Sequence, residues 1–598
     1  MTSGDGCFAR LCATLALLGG LNAAGVVPAF AADASDPEAP AVMATPALPD
    51  TPSDLPSIAP APDSAPGAAP HPNSAPGSAA ISPSLAAPKA APLRTPPAAV
   101  LVPRAAPAPG TPEAALQTAL SSGDPLVLAG RSLDKAVLAK VYDARGFQSV
   151  WTEARQQSLQ RALEEAPSHG LDPRSYEVKA TQPAARELLL TDAFLRYASA
   201  LTRGQVNPQD FESDWRVDLP AFDASKALTA AVNGDVATVL AALAPHEPEY
   251  ERLRDALRRY VAYDPKAWRA LSSPVTVQLG DHGEIVQALR ERLIAEGYFD
   301  AASMPEDPSA FDQTLADAMK KFQAAHGLPV DGSVGRLTLA ALNVAPAVRA
   351  RQIRWNLERW RSLPRIDAPS RIEVNVPAAQ AVLFADGEPV RVMRTIVGAV
   401  IHPTPVLRAR MRSVLLNPPW LVPNSIIEKE IRPALKRDPK YLQRQNMVYQ
   451  EVDGGRVLEQ LPGPKNSLGQ VKFEMPNPDD IYMHDTPEQR IFGLSRRYVS
   501  HGCIRVEDPR ELARILLDSD EWSREAIDAA IATGETQRVA LTKSLPVYVL
   551  YWTAFVDPDG TVEFRDDIYG RDKRLAEALA AQAAADHLAD TGEKGRSG

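Results

Sequence analysis

The chain has 598 residues, a formal net charge of −10 and 55 prolines. Its length leaves room for several domains, and its acidic balance argues against a nucleic-acid partner. Cys7 and Cys12 lie close to the N-terminus, and Cys503 is the third cysteine.

Arg10 precedes the apolar stretch Leu11 to Ala24, and Ala29-Phe30-Ala31 is an A-x-A cleavage site. Residues 1–31 therefore read as a signal peptide, with an uncleaved membrane anchor as the alternative. Gly19, Gly20, Asn22 and Gly25 interrupt the apolar run, which is short for a bilayer span. Residues 32–111 are rich in Pro and Ala, and Ser64-Ala65-Pro66-Gly67 recurs as Ser74-Ala75-Pro76-Gly77. Such a stretch lacks the apolar side chains to bury a core and reads as a disordered linker.

From 112 to 264 the spacing is helical, as in Phe194, Tyr197, Ala198 and Leu201. Gly170-Leu171-Asp172-Pro173 and Gly204-Gln205-Val206-Asn207-Pro208 break it, and it contains no catalytic constellation. A scaffold is the default reading. From 275 to 345, Leu279-Gly280-Asp281-His282-Gly283, Val286, Leu289, Leu293, Phe311, Phe322-Gln323, His326-Gly327-Leu328 and Asp331-Gly332 describe three short amphipathic helices with glycine turns. Phe322 and Leu328 read as core. From 350 to 572 the pattern changes to strands. Val382 to Phe384, Asp386-Gly387 and Val390 to Ile396 form a hairpin, Val414 to Trp420 a further strand, and Val547 to Trp552 a late one. Two short helices, Ile426 to Leu435 and Asp438 to Gln445, are inserted among them. The tail from Arg571 is alanine-rich and then polar and reads as a helix that frays, with residues 573–598 flexible.

With Cys7 and Cys12 in the signal region, Cys503 is the lone thiol of the mature chain, and an exported lone thiol has no intramolecular disulfide to make. It lies in Ser500-His501-Gly502-Cys503-Ile504-Arg505, downstream of Tyr482-Met483-His484-Asp485. A cysteine nucleophile needs a base and donors for an oxyanion. His484 ends a strand-like stretch from Asp480, and Gly502 permits a tight turn that lets the Gly502 and Cys503 N–H groups converge. A buried structural cysteine and a zinc site of His484, His501 and Cys503 are the rival readings. Polar neighbours weigh against the first, and the lack of another cysteine against the second.

The stretch from His484 to Arg505 resembles the active-site signature of the L,D-transpeptidase family, with its YkuD-like catalytic domain. Arg354 to Trp360, Val397-Gly398 with Thr404-Pro405-Val406, Asn417 to Trp420, Pro462-Gly463-Pro464, Gly469 to Phe473 and Asp566 to Arg571 resemble the large YcbB-like subgroup. The segment 275–345 resembles a three-helix peptidoglycan-binding domain, and 112–264 the subgroup's scaffold domain. The resemblance implies a multidomain α+β protein: an all-α scaffold, the binding domain, and a mostly β catalytic domain at 350–572 with a helical lid insertion. It implies Cys503 as nucleophile and His484 as general base. His501, Ser500 and Arg505 would shape the site, and Gly502 would supply an oxyanion donor. The segment Met447 to Leu461 is short beside the lids of larger relatives.

The implied function is periplasmic. A Cys thioester would form with loss of the terminal D-Ala from a tetrapeptide stem, followed by 3-3 crosslinking of peptidoglycan. L,D-carboxypeptidase action, lipoprotein attachment through the same acyl-enzyme and a non-catalytic wall-binding scaffold are the alternatives. The implied partners are peptidoglycan stem peptides and glycan, with other cell-wall synthases as candidates. A membrane is met only through the transient signal peptide. No metal and no cofactor are called for.

Overall fold

Nine strands build the main sheet of the C-terminal half. They are β1 (Arg371–Asn375), β2 (Gln380–Ala385), β3 (Glu388–Gly398), β4 (Leu407–Leu416), β5 (Val471–Glu474), β6 (Met483–His484), β7 (Tyr498–Ser500), β8 (Ile504–Val506) and β9 (Gln537–Leu550). The structure is a computed structural model, and it describes residues 107–264, 268–452 and 454–591. The segment read as a signal peptide and nearly all of that read as a linker lie outside the described residues. The strand order is β7-β3-β8-β6-β5-β4-β9-β1-β2, and β2 also pairs with β3. The sheet thus closes on itself through β2 and β3, which leaves the short β7 as its edge strand. Inward residues of β1, β4 and β9 such as Ile372, Val374, Met411, Val547 and Val549 are fully buried. Among the described residues no helix is long and apolar enough to cross a membrane.

The strands differ from the sequence reading in extent. β4 begins at Leu407 and stops at Leu416, where Asn417 turns left-handed at φ 47°. Its first half alternates Leu-Arg-Ala-Arg-Met-Arg, and the arginines mask the apolar face. β9 starts at Gln537, ten residues before its apolar end, because its first half is polar and exposed. The lid contains helices at Asn424–Ile426, Arg432–Arg437 and Tyr441–Arg444, with one π-turn at Ile427–Ile431. It also contains a three-stranded sheet of Trp420–Leu421, Met447–Val452 and Gly455–Gln460, which the reading as a helical insertion missed. Val448, Tyr449 and Val452 there are exposed, so beyond Met447 no buried face marks the strand Met447–Val452. Val422, Ile426, Ile431, Met447 and Leu458 give the lid a small core of its own.

Residues 112–262 are mainly helical, with a small hairpin pairing Val127–Leu128 with Arg131–Ser132. The long helix Pro183–Arg203 buries Phe194, Tyr197, Ala198 and Leu201, as their spacing requires. One continuous apolar core runs from these helices into the nine-stranded sheet. The joining piece is the helix Pro346–Arg361. Trp360 stacks on Trp552 at 4.8 Å, and Asn356 exchanges hydrogen bonds of 2.8 and 3.0 Å with Thr553. Glu358, 1% exposed, pairs with buried Arg361 and accepts from the Gln205 N–H beside Gly204. Gly204 has φ +81°, and a Cβ there would sit 2.6 Å from Glu358 Oε1. The motif residues at 354–360 and 204–208 thus meet each other.

Three helices, Glu284–Glu296, Gln313–Ala325 and Arg336–Leu342, enclose a separate core around Val286, Leu289, Leu315, Met319 and Phe322. Phe322 is fully buried, and Leu328 packs against the same core. This domain is docked on the hairpin Ala554–Val556/Val562–Phe564. Tyr298 donates to Val562 O at 3.1 Å, Arg565 donates to Ala325 O at 2.7 Å, and the His326 ring lies 5.6 Å from Phe564.

Candidate active site

β6 lies between β5 and β8. Its pairing sets Lys472 opposite His484 and His484 opposite Arg505. Met483, Ile504, Val471 and Phe473 are fully buried on the inner face. Side chains alternate along a strand, so Lys472, His484, Arg505 and Cys503 share the other face. Tyr482 joins them: its carbonyl accepts from Ile504 N–H at 3.0 Å, and its ring lies edge-on to His484 at 5.6 Å. Lys472 Nζ sits 4.0 Å above the Tyr482 ring. Asp480 takes a left-handed φ of 49°, which confines the strand to Met483–His484 rather than the longer stretch read from Asp480.

The turn that carries Cys503 is closed by Ser500. Its Oγ donates to Cys503 O at 2.6 Å and accepts from Gly502 N–H at 3.2 Å. Gly502 has φ +106°, a conformation that side chains resist. The Gly502 N–H, offered above as an oxyanion donor, is therefore directed to Ser500. Cys503 is half-buried, with its sulfur 3.9 Å from Asp480 O. Burial pushes its thiol up, against the opposing pull of Tyr482, Lys472 and Arg505. His484 is 4% exposed, and its Nδ1 is buried without a hydrogen-bond partner. Burial first, then the Arg505 charge, lowers its imidazole to about 3. At neutral pH the pair rests as thiol and neutral imidazole, so the imidazole is free to accept a proton. Iodoacetamide should therefore label Cys503 slowly at pH 7 and faster as pH rises, with an apparent pKa above the ordinary thiol value of about 8.5. A midpoint below that value in a pH series would contradict the burial of this thiol.

Neighbouring groups fix this face. Asp485 accepts from Gln470 N–H at 2.8 Å, and a Cβ on Gly469 would meet its carboxylate at 2.4 Å. That contact explains Gly469-Gln470 and anchors the end of β6. Arg505 donates to Glu488 at 2.6 Å and faces Thr486 at 3.4 Å. His501 turns away from the thiol to the lid, where its Nε2 pairs with Glu430 at 2.7 Å, and its ring lies 4.8 Å from that of His402. The lid is thereby tied to the residue two before Cys503.

The sequence reading did not single out Lys472, Tyr482, Glu430 or Thr404 as site residues. Lys472 had a signal: a lone cation on a strand between two buried residues. Thr404 had none beyond its place in a motif.

Family models match three parts of the chain: a scaffold domain at 136–257, a peptidoglycan binding domain at 282–342 and an L,D-transpeptidase catalytic domain at 369–541. A protein of Haemophilus influenzae named as an L,D-transpeptidase is 32% identical over 237 residues, which is 37% of this chain and 48% of that protein. The chain thus spans about half the length of the curated relative it matches. Solved structures with partial likeness include an L,D-transpeptidase from Xylanimonas cellulosilytica, 18% identical, covering 47% of this chain and 99% of that one, at a TM-score of 0.18. Another from Mycobacterium smegmatis is 16% identical over 31% of this chain and 59% of that one, at a TM-score of 0.17. Scores that low carry no argument. The sheet that carries Cys503 and His484 thus falls within an L,D-transpeptidase catalytic domain, and the scaffold and peptidoglycan-binding domains before it match the domain architecture of YcbB-like L,D-transpeptidases.

Proposed function

We propose that the chain is an exported L,D-transpeptidase that remodels peptidoglycan in the periplasm. The observation that carries this reading is the grouping of Cys503, His484, Tyr482 and Lys472 on one sheet face beneath a lid. Cys503 is the nucleophile and His484 the base. As the sulfur attacks the carbonyl between the third stem residue and the terminal D-Ala, the thiol proton passes to His484. The tetrahedral oxyanion collapses, the C–N bond breaks, and D-Ala leaves with that proton as a free amine. A thioester remains on Cys503. The side-chain amine of a second stem then attacks it, restoring the thiol and leaving a 3-3 crosslink.

Lys472 and Arg505 place positive charge on the same face, where a stem peptide's carboxylates would be held. In this reading residues 1–31 are removed on export and 32–111 form a tether. The docked three-helix domain presents wall polymer to the catalytic domain it is fixed against. The test is incubation of the purified chain with disaccharide tetrapeptide, followed by chromatography and mass analysis. Release of D-Ala with formation of 3-3 dimers is expected. D-Ala release with tripeptide alone would mean that water is the acceptor. Attachment only to an added lipoprotein lysine would mean that the amine comes from protein. No D-Ala release at all would leave only a wall-binding scaffold.

A further inference from the structure

The scaffold reaches the turn that carries Cys503 through two intermediate residues, Arg571 and Thr404. Its segment around Trp215 forms a bridge to Val406, with Arg216 N–H donating to Val406 O at 2.8 Å and Val406 N–H to Asp214 O at 3.1 Å. The Asp214 carboxylate pairs with Nη2 of Arg571, a residue 1% exposed. Glu212 is a second carboxylate near that guanidinium, at 3.7 Å from Nε, and is held by Arg574 at 2.7 Å. Arg571 Nη2 also donates to Thr404 O at 3.1 Å. Thr404 is fully buried, and its Oγ1 accepts from Gly398 N–H at 2.9 Å and donates to Gly502 O at 2.8 Å. Tyr569 OH closes the network, donating to Gly398 O at 2.6 Å and accepting from Thr404 N–H at 3.2 Å. Gly398 admits no side chain, since a Cβ there would lie 2.0 Å from His402 O.

The Gly502 carbonyl and the Cys503 N–H belong to one planar trans peptide, in which they point in opposite directions. A group that grips the carbonyl therefore aims the N–H. We propose that Asp214, Arg571 and Thr404 form a positioning relay by which the scaffold domain aims the Cys503 N–H as the oxyanion donor. The catalytic domain then depends on the scaffold for acyl transfer as well as for its packing. The proposal rests on Cys503 being the nucleophile.

An oxyanion donor serves a carbonyl attack and has no part in displacement at a saturated carbon. Two reagents on the same thiol therefore separate aim from folding. In the full chain, Thr404→Val and Asp214→Ala should slow acylation of Cys503 by a carbapenem on the order of 10- to 100-fold. Alkylation by iodoacetamide should stay within about twofold. Thr404→Ser, which keeps the hydroxyl, should acylate at nearly the parental rate. The double variant should be no slower than Thr404→Val, because both changes cut one path. Thermal melting confirms that each variant is folded. Thr404→Val alters no charge and carries the test if Asp214→Ala does not fold. Folded variants that acylate like the parent, or lose both reactions equally, overturn the relay, as does an additive double variant. A parent chain that takes up no carbapenem would defeat the assignment of Cys503 itself, and the relay with it.

Discussion

Replacing Cys503 by alanine should abolish acyl transfer, with a loss on the order of 10⁴-fold or more in D-Ala release from tetrapeptide muropeptides. No other cysteine is present among the described residues, and no neighbouring group on this face offers a comparable nucleophile. The side chain is half-buried at the mouth of the lid rather than in the apolar core, so its truncation should cost only about 1 kcal/mol of stability. Chromatography of the digest checks the first quantity and thermal unfolding the second. A folded Cys503→Ala chain that still released D-Ala would place the nucleophile elsewhere.

Removing the base should have the next largest effect. His484→Ala should slow acylation by on the order of 10²–10⁴-fold at neutral pH. The sign of the pH dependence follows from the two resting forms. The imidazole, lowered to about 3, is already neutral throughout the mildly acidic range. The parent rate should then show no acid limb near the ordinary histidine value of about 6.5. In the variant the thiol has lost its proton acceptor, and only molecules already ionised can react. Burial holds that thiol up, so the variant's rate should climb steeply with pH while the parent's profile is flatter. Acylation rates measured across mildly acidic to alkaline pH check this. Parallel profiles for the two proteins would show that His484 does not take the proton.

The chemistry was legible in the sequence because it is local. Ser500, Gly502 and Cys503 form one turn, and its hydrogen bonds span at most three residues. The helices of the binding domain were legible because their periodicity is continuous, as in Leu289, Leu293 and Phe322. Pairings across the chain were not. Asp214 and Arg571 are 357 residues apart, and no period or spacing links them. Thr404 reads as one threonine before a proline, yet its hydroxyl ties Gly398 to Gly502. β6 has two residues, too few to show alternation, and only its pairing with β5 and β8 sets the faces of Lys472, His484 and Arg505. The lid sheet escaped notice for a related reason, since the polar residues on both sides of Met447–Val452 mask a strand that the hairpin partner defines.

The account turns on whether Cys503 is an acylatable nucleophile. Intact-mass analysis of the purified chain after incubation with a carbapenem, with peptide mapping of the product, measures this directly. One adduct per chain, located on the peptide that contains Cys503 and absent from Cys503→Ala, is the expected result. A chain that gains no mass, or gains it on a peptide without Cys503, would contradict the account.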